Sequence, residues 1–308
     1  MKKDFVSIHD RTPAEIGELL DLADAVKTDR ARYRTTLSGK TLAMIFEKSS
    51  TRTRVSFEAG MYQLGGLGMF LSSRDLQIGR GEPIADTARV LSRYVDGIMA
   101  RTFAHETVTE LARHATVPVI NGLTDLLHPC QVMADLQTIR ETFGRLAGLK
   151  LAYVGDGNNM AHSLMFGGAR TGMSVAVASP AGYEPKPEIV AAARQDAEET
   201  GAAITTTRDP AEAVAGAHVV YTDVWASMGQ EEEAQVRRQK FAGFSVTDAL
   251  MEKASRDAIF LHCLPAKRGE EVEAAVIDGP QSAVWAQSAN RMPTEAALLL
   301  ALTQGFER

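Results

Sequence analysis

The stretch Phe46-Glu47-Lys48-Ser49-Ser50-Thr51-Arg52-Thr53-Arg54 gathers the groups that hold an oxyanion. Ser50, Thr51 and Thr53 offer hydroxyl donors. Arg52 and Arg54 offer planar guanidinium forks that match phosphate oxygens. A turn between a strand and a helix adds unpaired backbone N–H groups and the positive end of the helix dipole. The plainer reading is a capped helix with solvated arginines. Two hydroxyl residues leading into Arg-Thr-Arg directly after a strand favour the anion. The G-x-x-x-x-G-K pattern is absent, so this is not a nucleotide P-loop.

Further segments at strand ends carry compatible groups. Arg101-Thr102 adds a guanidinium. His128-Pro129-Cys130-Gln131 adds an imidazole that can donate to a carbonyl or phosphate oxygen, and an amide. Alone, His128 would read as a capping or core histidine. In the second half, Gly155-Asp156-Gly157-Asn158-Asn159, Asp223 to Gly229 and His262-Cys263-Leu264-Pro265 stand at comparable places. Cys263 beside His262 suggests a nucleophile with its base. Adjacent strand residues point to opposite faces, however, so His262 is not expected to activate it, and a small buried thiol is the other reading. Val154-Gly155-Asp156-Gly157 after a strand could open a dinucleotide loop. The third glycine of G-x-G-x-x-G would fall at Met160, and the next strand ends in Ala178-Ser179-Pro180 without the expected acid.

These segments need a scaffold, and the hydrophobic pattern supplies one. Thr12-Pro13-Ala14-Glu15 reads as a capping box with proline at the first helical position. It opens a helix with the stripe Ile16, Leu19, Leu20, Ala23 and Val26. Strands are expected at 41–46, 69–71, 97–100 and 118–121, with helices at 53–64, 84–92 and 108–115 between them. A long helix over 132–143 follows. The alternation then restarts with strands at 150–154, 174–178, 203–205, 218–222 and 259–263 and helices at 162–171, 187–200 and 210–215. An apolar helix over 294–303 ends the chain. Such alternation predicts two α/β domains with parallel sheets covered on both faces, in which ligands bind beyond the carboxyl ends of the strands.

The 308 residues suit about two domains. At 45% hydrophobic and 23% charged, the chain can build a core without disulfides or metal. A net charge of −6 argues against nucleic-acid or membrane-surface partners. No apolar run is long enough to span a bilayer. The start Met1-Lys2-Lys3-Asp4-Phe5 lacks an apolar signal core. Two cysteines without C-x-x-C oppose a disulfide framework or a metal site, and a reducing, cytoplasmic setting is expected.

Taken in order, Ser50-Thr51-Arg52-Thr53-Arg54, Arg101-Thr102 and His128-Pro129-Cys130-Gln131 resemble the carbamoyl-phosphate site of the aspartate/ornithine carbamoyltransferases. The resemblance covers essentially the whole chain. It implies two doubly wound domains joined by helices: 1–130 with 290–308 for carbamoyl phosphate, 149–289 for the second substrate, and 131–148 connecting. The last helix packs back on the first domain. The resemblance also implies that Ser50, Thr51, Arg52, Thr53, Gln77, Arg101, His128, Pro129, Cys130, Gln131, Cys263, Leu264 and Arg291 bind carbamoyl phosphate. Arg101, His128, Arg291 and Cys263 are the catalytic set among them.

In the second half, Asp223-Val224-Trp225-Ala226-Ser227-Met228-Gly229 and His262-Cys263-Leu264-Pro265 look like the corresponding elements of the family's ornithine branch. The implied activity is carbamoyl transfer from carbamoyl phosphate to the δ-amine of L-ornithine; the residues do not separate arginine biosynthesis from citrulline breakdown, and synthesis is the expectation because nothing marks the degradative role. Asp223 would meet the α-ammonium and Asn159 the α-carboxylate, with Ser227 and Met228 holding the amino-acid end. Cys263 would lie near the amines. The loop Asp75 to Glu82 resembles the segment that completes a neighbouring subunit's site, which implies a homotrimer or a multiple of it. No cofactor or metal is expected. A transferase for putrescine or N-acetylornithine is the nearest alternative. A nicotinamide-dependent dehydrogenase and a non-catalytic binding module are more distant ones.

Overall fold

A computed structural model describes residues 4–226 and 233–304. The chain divides into two compact units, Met1–Ala134 with Ala289–Arg308, and Asp135–Ser288.

The first unit holds a four-stranded parallel sheet in the order β2-β1-β3-β4, from Leu67–Ser72, Thr41–Phe46, Gly97–Arg101 and Val119–Leu123. β1, β3 and β4 are buried along nearly their whole length, as strands covered on both faces must be. β2 is an edge strand and is only partly covered. The opposite edge is closed by the N-terminal segment. The Phe5 N–H donates to the Val119 carbonyl at 2.8 Å, and the Asn121 N–H to the Phe5 carbonyl at 2.9 Å. Edges left open in this way would invite other strands.

Helix α1 (Pro13–Thr28) begins at the expected capping box. The Thr12 hydroxyl accepts from the Glu15 N–H at 3.2 Å, while Glu15 Oε2 accepts from the Thr12 N–H at 2.9 Å. Its stripe Ile16, Leu19, Leu20, Ala23 and Val26 is buried. α2 (Arg30–Tyr33) is a single turn, α3 (Thr51–Gln63) follows β1, and α4 (Ile84–Leu91) and α5 (His105–His114) flank β3. Ala43, Ile45, Ile98, Ala100, Val108, Leu111 and Val119 form this unit's core.

The second unit holds a five-stranded parallel sheet in the order β7-β6-β5-β8-β9, from Ile204–Thr207, Ser174–Ala178, Lys150–Val154, Val219–Thr222 and Ile259–His262. α6 (Pro129–Phe143) leads into it, and α7 (Asn159–Thr171), α8 (Pro187–Glu198) and α9 (Pro210–Val214) connect its strands. α10 (Ala234–Lys240), α11 (Asp248–Met251) and α12 (Ala274–Ile277) are short.

α13 spans Val284–Gln304, with Pro293 inside it. The sequence pattern predicts a helix only from Thr294, since proline removes an intrahelical hydrogen bond and usually marks a boundary. Here the surrounding burial outweighs that loss. Asn290, Arg291 and the run from Ala296 to Leu299 are all nearly inaccessible.

Strand order reverses direction between β1 and β3 in the first unit, and between β5 and β8 in the second. In open α/β sheets such switch points leave a crevice at the carboxyl ends of the two diverging strands. Ser50–Arg54 and Arg101 follow the first pair. Gly155–Asn159 and Asp223 follow the second.

Candidate active site

At the first switch point, Ser50 is the N-cap of α3. Its hydroxyl accepts from the Thr53 N–H at 3.2 Å and lies 3.2 Å from the Thr53 hydroxyl. The side chain that looks like an anion ligand is thus also what starts the helix. Thr53 is buried, and two guanidiniums converge on its hydroxyl, Arg101 Nη1 at 3.5 Å and Arg291 Nη2 at 3.4 Å. These separations are at the long limit for hydrogen bonds. An anion's oxygens would offer the same donors much stronger partners.

Arg291 is fixed from its other sides. Its Nη1 donates to Gln131 Oε1 at 2.8 Å and its Nε to Glu295 Oε1 at 2.9 Å. Burial raises the Glu295 carboxyl above its ordinary range, and the Arg291 charge opposes that rise. His128 is buried at the mouth of α6. Burial first, then the charges of Arg291, Arg101 and Arg52, hold its imidazole well below the usual value. Three guanidiniums therefore set a positive field here, and His128 stands in it as a neutral ring with one N–H to donate.

The structure does not bring every residue of the motif together. Arg54 stacks on the Phe70 ring, 3.8 Å from its centre, and its Nε reaches Glu58 at 3.3 Å. It braces α3 against β2. The Cys130 thiol is fully buried, donates to the Asn121 carbonyl at 3.2 Å, and is pushed up by burial, so only the backbone of Cys130 is left to meet a ligand. Thr51 is exposed and Arg52 half-buried. Gln77 is exposed at the start of a 3-10 turn over Gln77–Arg80, whose neighbours Leu76 and Ile78 pack on the core.

At the second switch point the charge is reversed. Asp223, just past β8, is buried; its Oδ1 accepts from the Val224 N–H at 2.8 Å and from the Cys263 thiol at 3.1 Å. Asn158 caps α7 through Oδ1, which accepts from the Met160 N–H at 2.9 Å, and its Nδ2 reaches Asp223 Oδ2 at 3.4 Å. The first asparagine is thereby taken up in structure, and half-buried Asn159 begins the helix beside it. Asp156 is pushed up to about 6 by burial, against the pull of Arg237 and with help from Asp223 and Glu233. A concentration of carboxylates this dry suits an ammonium group.

Asp223, His262 and Cys263 form a group among the described residues whose donor atoms, all within 4.8 Å of one another, could gather around a cation. Those atoms are engaged otherwise. His262 Nδ1 accepts from the Leu264 N–H at 2.8 Å, and Nε2 faces Glu271 Oε1 at 3.3 Å. The ring therefore has no nitrogen left for the Cys263 proton. That, rather than opposite strand faces, is why His262 does not activate the thiol. Among the described residues, Leu264 is also the non-glycine residue with positive φ, at 59°.

The family description "Aspartate/ornithine carbamoyltransferase, carbamoyl-P binding domain" matches residues 3–141, and its "Asp/Orn binding domain" counterpart matches 147–302. The chain belongs to the aspartate/ornithine carbamoyltransferase family. It is 63% identical over 303 residues to a protein of Anoxybacillus flavithermus named ornithine carbamoyltransferase, covering 97% of this chain and 96% of that one. An Oceanobacillus iheyensis protein of the same name is 61% identical over 303 residues, 97% of this chain and 94% of its own length. The solved ornithine carbamoyltransferase of Pyrococcus furiosus superposes with a TM-score of 0.94 at 52% identity, covering 99% of this chain and 98% of that one.

Within this family's framework the glycine loop after β5 has a local explanation. A Cβ on Gly157 would lie 2.2 Å from the Pro185 nitrogen, and the Gly157 N–H donates to the Tyr183 carbonyl at 2.8 Å. The space beside Gly157 is filled by backbone of residues 184 and 185, its N–H is taken by Tyr183, and Met160 is buried in place of a third glycine. The dinucleotide reading fails on these counts. Ser227 and Met228 lie outside the described residues.

Sequence reasoning did not single out Glu295, Gln287, Arg237 or Glu271. Each is a partner of a functional segment, distant in the chain for Gln287 and Arg237 and near in it for Glu295, four positions from Arg291, and Glu271, nine from His262. Gln287, for instance, accepts from the His262 N–H at 3.0 Å while donating to Asp135 Oδ1 at 2.7 Å and the Tyr221 hydroxyl oxygen at 3.0 Å. Charge and amide type along α13 were the available signal for Glu295 and Gln287. Partner identity was not.

Proposed function

We propose that this chain transfers the carbamoyl group of carbamoyl phosphate to the δ-amine of L-ornithine, giving L-citrulline and phosphate. The observation that carries the reading is the contrast between the two switch points. One gathers Arg52, Arg101, Arg291 and neutral His128 around a capped helix start. The other presents buried Asp223 beside Asn158 and Cys263, with Asn159 next in the chain at the start of α7. An oxyanion suits the first and an amino acid's ammonium the second. Membership of the family and close relatives named ornithine carbamoyltransferase point the same way.

In this reading Ser50, Thr51, Arg52, Thr53 and the start of α3 hold the phosphate. Arg101, Arg291 and the N–H of His128 meet the carbamoyl oxygen, where negative charge grows as the amine attacks. Gln131 holds Arg291 for that task, and Pro129 and Cys130 contribute backbone. The δ-amine has a lysine-like pKa of about 10.4 and must be neutral to attack. Desolvation and the positive field favour its deprotonation, and the departing phosphate can accept the proton. Orientation of the two substrates supplies part of the ~7–11 kcal/mol available from proximity. The steps are acyl-type transfer and proton movement, so they require no redox or electron-sink cofactor.

The finer reading is an assembly of three chains, or a multiple, with Gln77 entering a neighbour's phosphate site, in a cytoplasmic enzyme of arginine synthesis. Exposed Gln77 on an anchored turn supports it. So do the exposed apolar residues Val55 and Tyr62 on α3 and Leu67, Met69 and Phe70 on β2. Among the described residues no helix is long and apolar enough to cross a membrane.

The test is citrulline formation from carbamoyl phosphate and L-ornithine. Putrescine, N-acetylornithine and L-aspartate serve as parallel acceptors, followed by phosphate release above background decomposition. Turnover confined to ornithine is the expected result. Turnover with another acceptor would keep the phosphate site and overturn the roles of Asp223 and Asn159. A folded protein inert toward all four acceptors would leave a binding module.

A further inference from the structure

We propose that His262 and Glu271 are positioning residues that hold the Cys263-Leu264 turn in its substrate-receiving conformation through one fixed tautomer of the His262 ring. The proposal rests on the reading of that turn as lining the ornithine site.

The turn is strained. Leu264 has φ at 59°, in the left-handed region where a branched side chain is disfavoured. Such a conformation persists only where surroundings over-determine it. Here the constraint is visible. The Leu264 N–H can only donate, so His262 Nδ1, 2.8 Å away, must be the unprotonated nitrogen. The ring proton then lies on Nε2, which faces Glu271 Oε1 at 3.3 Å. That oxygen is itself fixed by the Lys267 N–H at 2.5 Å. His262 and Glu271 are both buried, so water cannot replace either partner. The His262 backbone N–H is tied to Gln287 at 3.0 Å, which fixes the strand end from which the ring projects.

The chain of contacts runs from Glu271 through one imidazole tautomer to the Leu264 amide. Leu264 is joined to Cys263, whose thiol donates to Asp223 at 3.1 Å. Protonating Nδ1, or removing its lone pair, would set two donors face to face and release the turn. Cys263 would then leave Asp223, the carboxylate read as the partner of the substrate ammonium. Neither His262 nor Glu271 needs to touch substrate for this.

The two ring nitrogens can be replaced one at a time. In His262→Asn the amide oxygen falls near the Nδ1 position and still accepts from Leu264. In His262→Gln the amide falls near Nε2, and the acceptor for Leu264 is lost. The readouts are the rate of Cys263 alkylation by iodoacetamide, with the fully buried Cys130 as internal control, and the ornithine KM. His262→Gln should raise the alkylation rate and the ornithine KM each about tenfold, the latter equivalent to about 1.4 kcal/mol. His262→Asn should restore both to within about threefold of the wild type. Glu271→Gln retains an oxygen acceptor for Lys267 and for a neutral ring, and should behave like His262→Asn.

Equal alkylation rates in the Asn and Gln variants would overturn the proposal, since a merely structural histidine lowers melting temperature in both alike. Glu271→Gln behaving like His262→Gln would overturn the tautomer assignment with it. A wild-type protein without ornithine turnover would instead defeat the functional reading. The alkylation contrast needs no turnover and still decides how the turn is held.

Discussion

Arg52 and Asp223 carry opposite charges in different units, and the proposed chemistry assigns each a different substrate. Arg52 is half-buried, and its charge contributes to the depressed basicity of His128. Replacing it with alanine removes a charge-assisted contact without opening the core. Arg52→Ala should raise the carbamoyl phosphate KM by about ten- to a hundredfold, with a change in stability within about 0.5 kcal/mol. Near-normal affinity would remove Arg52 from the phosphate site. Asp223→Asn keeps an oxygen to accept from Val224 and Cys263, and should weaken ornithine far more than carbamoyl phosphate in initial-rate kinetics. Equal weakening of both would count against the ammonium-binding role.

Asp156 adds a pH dependence. Its carboxyl is raised from 3.8 to about 6, so the folded state holds this proton more tightly than the unfolded chain does. Its contribution to stability is then fully present below about pH 4 and is lost as pH rises through 6. The loss approaches ~3 kcal/mol relative to Asp156→Asn, taking about 1.4 kcal/mol per unit. Thermal unfolding of both proteins between pH 3.5 and 7 measures it, and parallel curves would refute it.

Ser50, Arg52, Arg101 and His128 were legible because each sits next to its own strand or helix end. The grip of Glu295 and Gln131 on Arg291 was not. Gln131 and Arg291 are separated by 160 positions, and nothing local to either names the other.

At the scale of elements, periodicity placed the buried parallel strands within a residue or two, since continuous apolar runs bounded by turn residues leave little choice. It failed where local rules conflict with burial. α13 runs through Pro293, and the one-turn helices α2, α11 and α12 carry too few residues for a period to be seen. The closure of β4 by Phe5 was also invisible, because it joins positions over a hundred residues apart.

The junction of β5 and α7 gives a test at this scale. Gly157 stands against backbone of residues 184 and 185, which cannot swing aside as a side-chain tip could. Gly157→Ala must push two loops apart and disturb the Asn158 cap beside it. It should cost at least ~2 kcal/mol, at the upper part of the range for overpacking, read as a lower denaturant midpoint. An unchanged midpoint would show that the 183–185 segment yields freely.

At the scale of the whole molecule, the first unit is incomplete in the proposed reading. Its sheet keeps β2 as a partly covered edge, with Leu67, Met69 and Phe70 exposed beside Val55 and Tyr62 of α3. Apolar residues clustered in this way commonly mark an interface. Gln77 stands exposed nearby in the chain, on a turn held in place by the packing of Leu76 and Ile78 against the core. If Gln77 serves a neighbour's phosphate site, two defective chains should repair each other. Arg52→Ala spoils a chain's own site and Gln77→Ala spoils the site of the chain next to it. In a one-to-one mixture reassembled from dissociated subunits, a Gln77→Ala chain seated against an Arg52→Ala chain regains both residues. In a closed ring this arrangement occurs at about a quarter of the sites. Assayed at carbamoyl phosphate well below the KM of either variant, the mixture should therefore recover about a quarter of wild-type citrulline formation, although each variant alone is nearly inactive there. Sedimentation should report three chains or a multiple. A mixture no more active than its parents, at an oligomeric state shown to have exchanged subunits, would place Gln77 in its own subunit's site and end the shared-site reading.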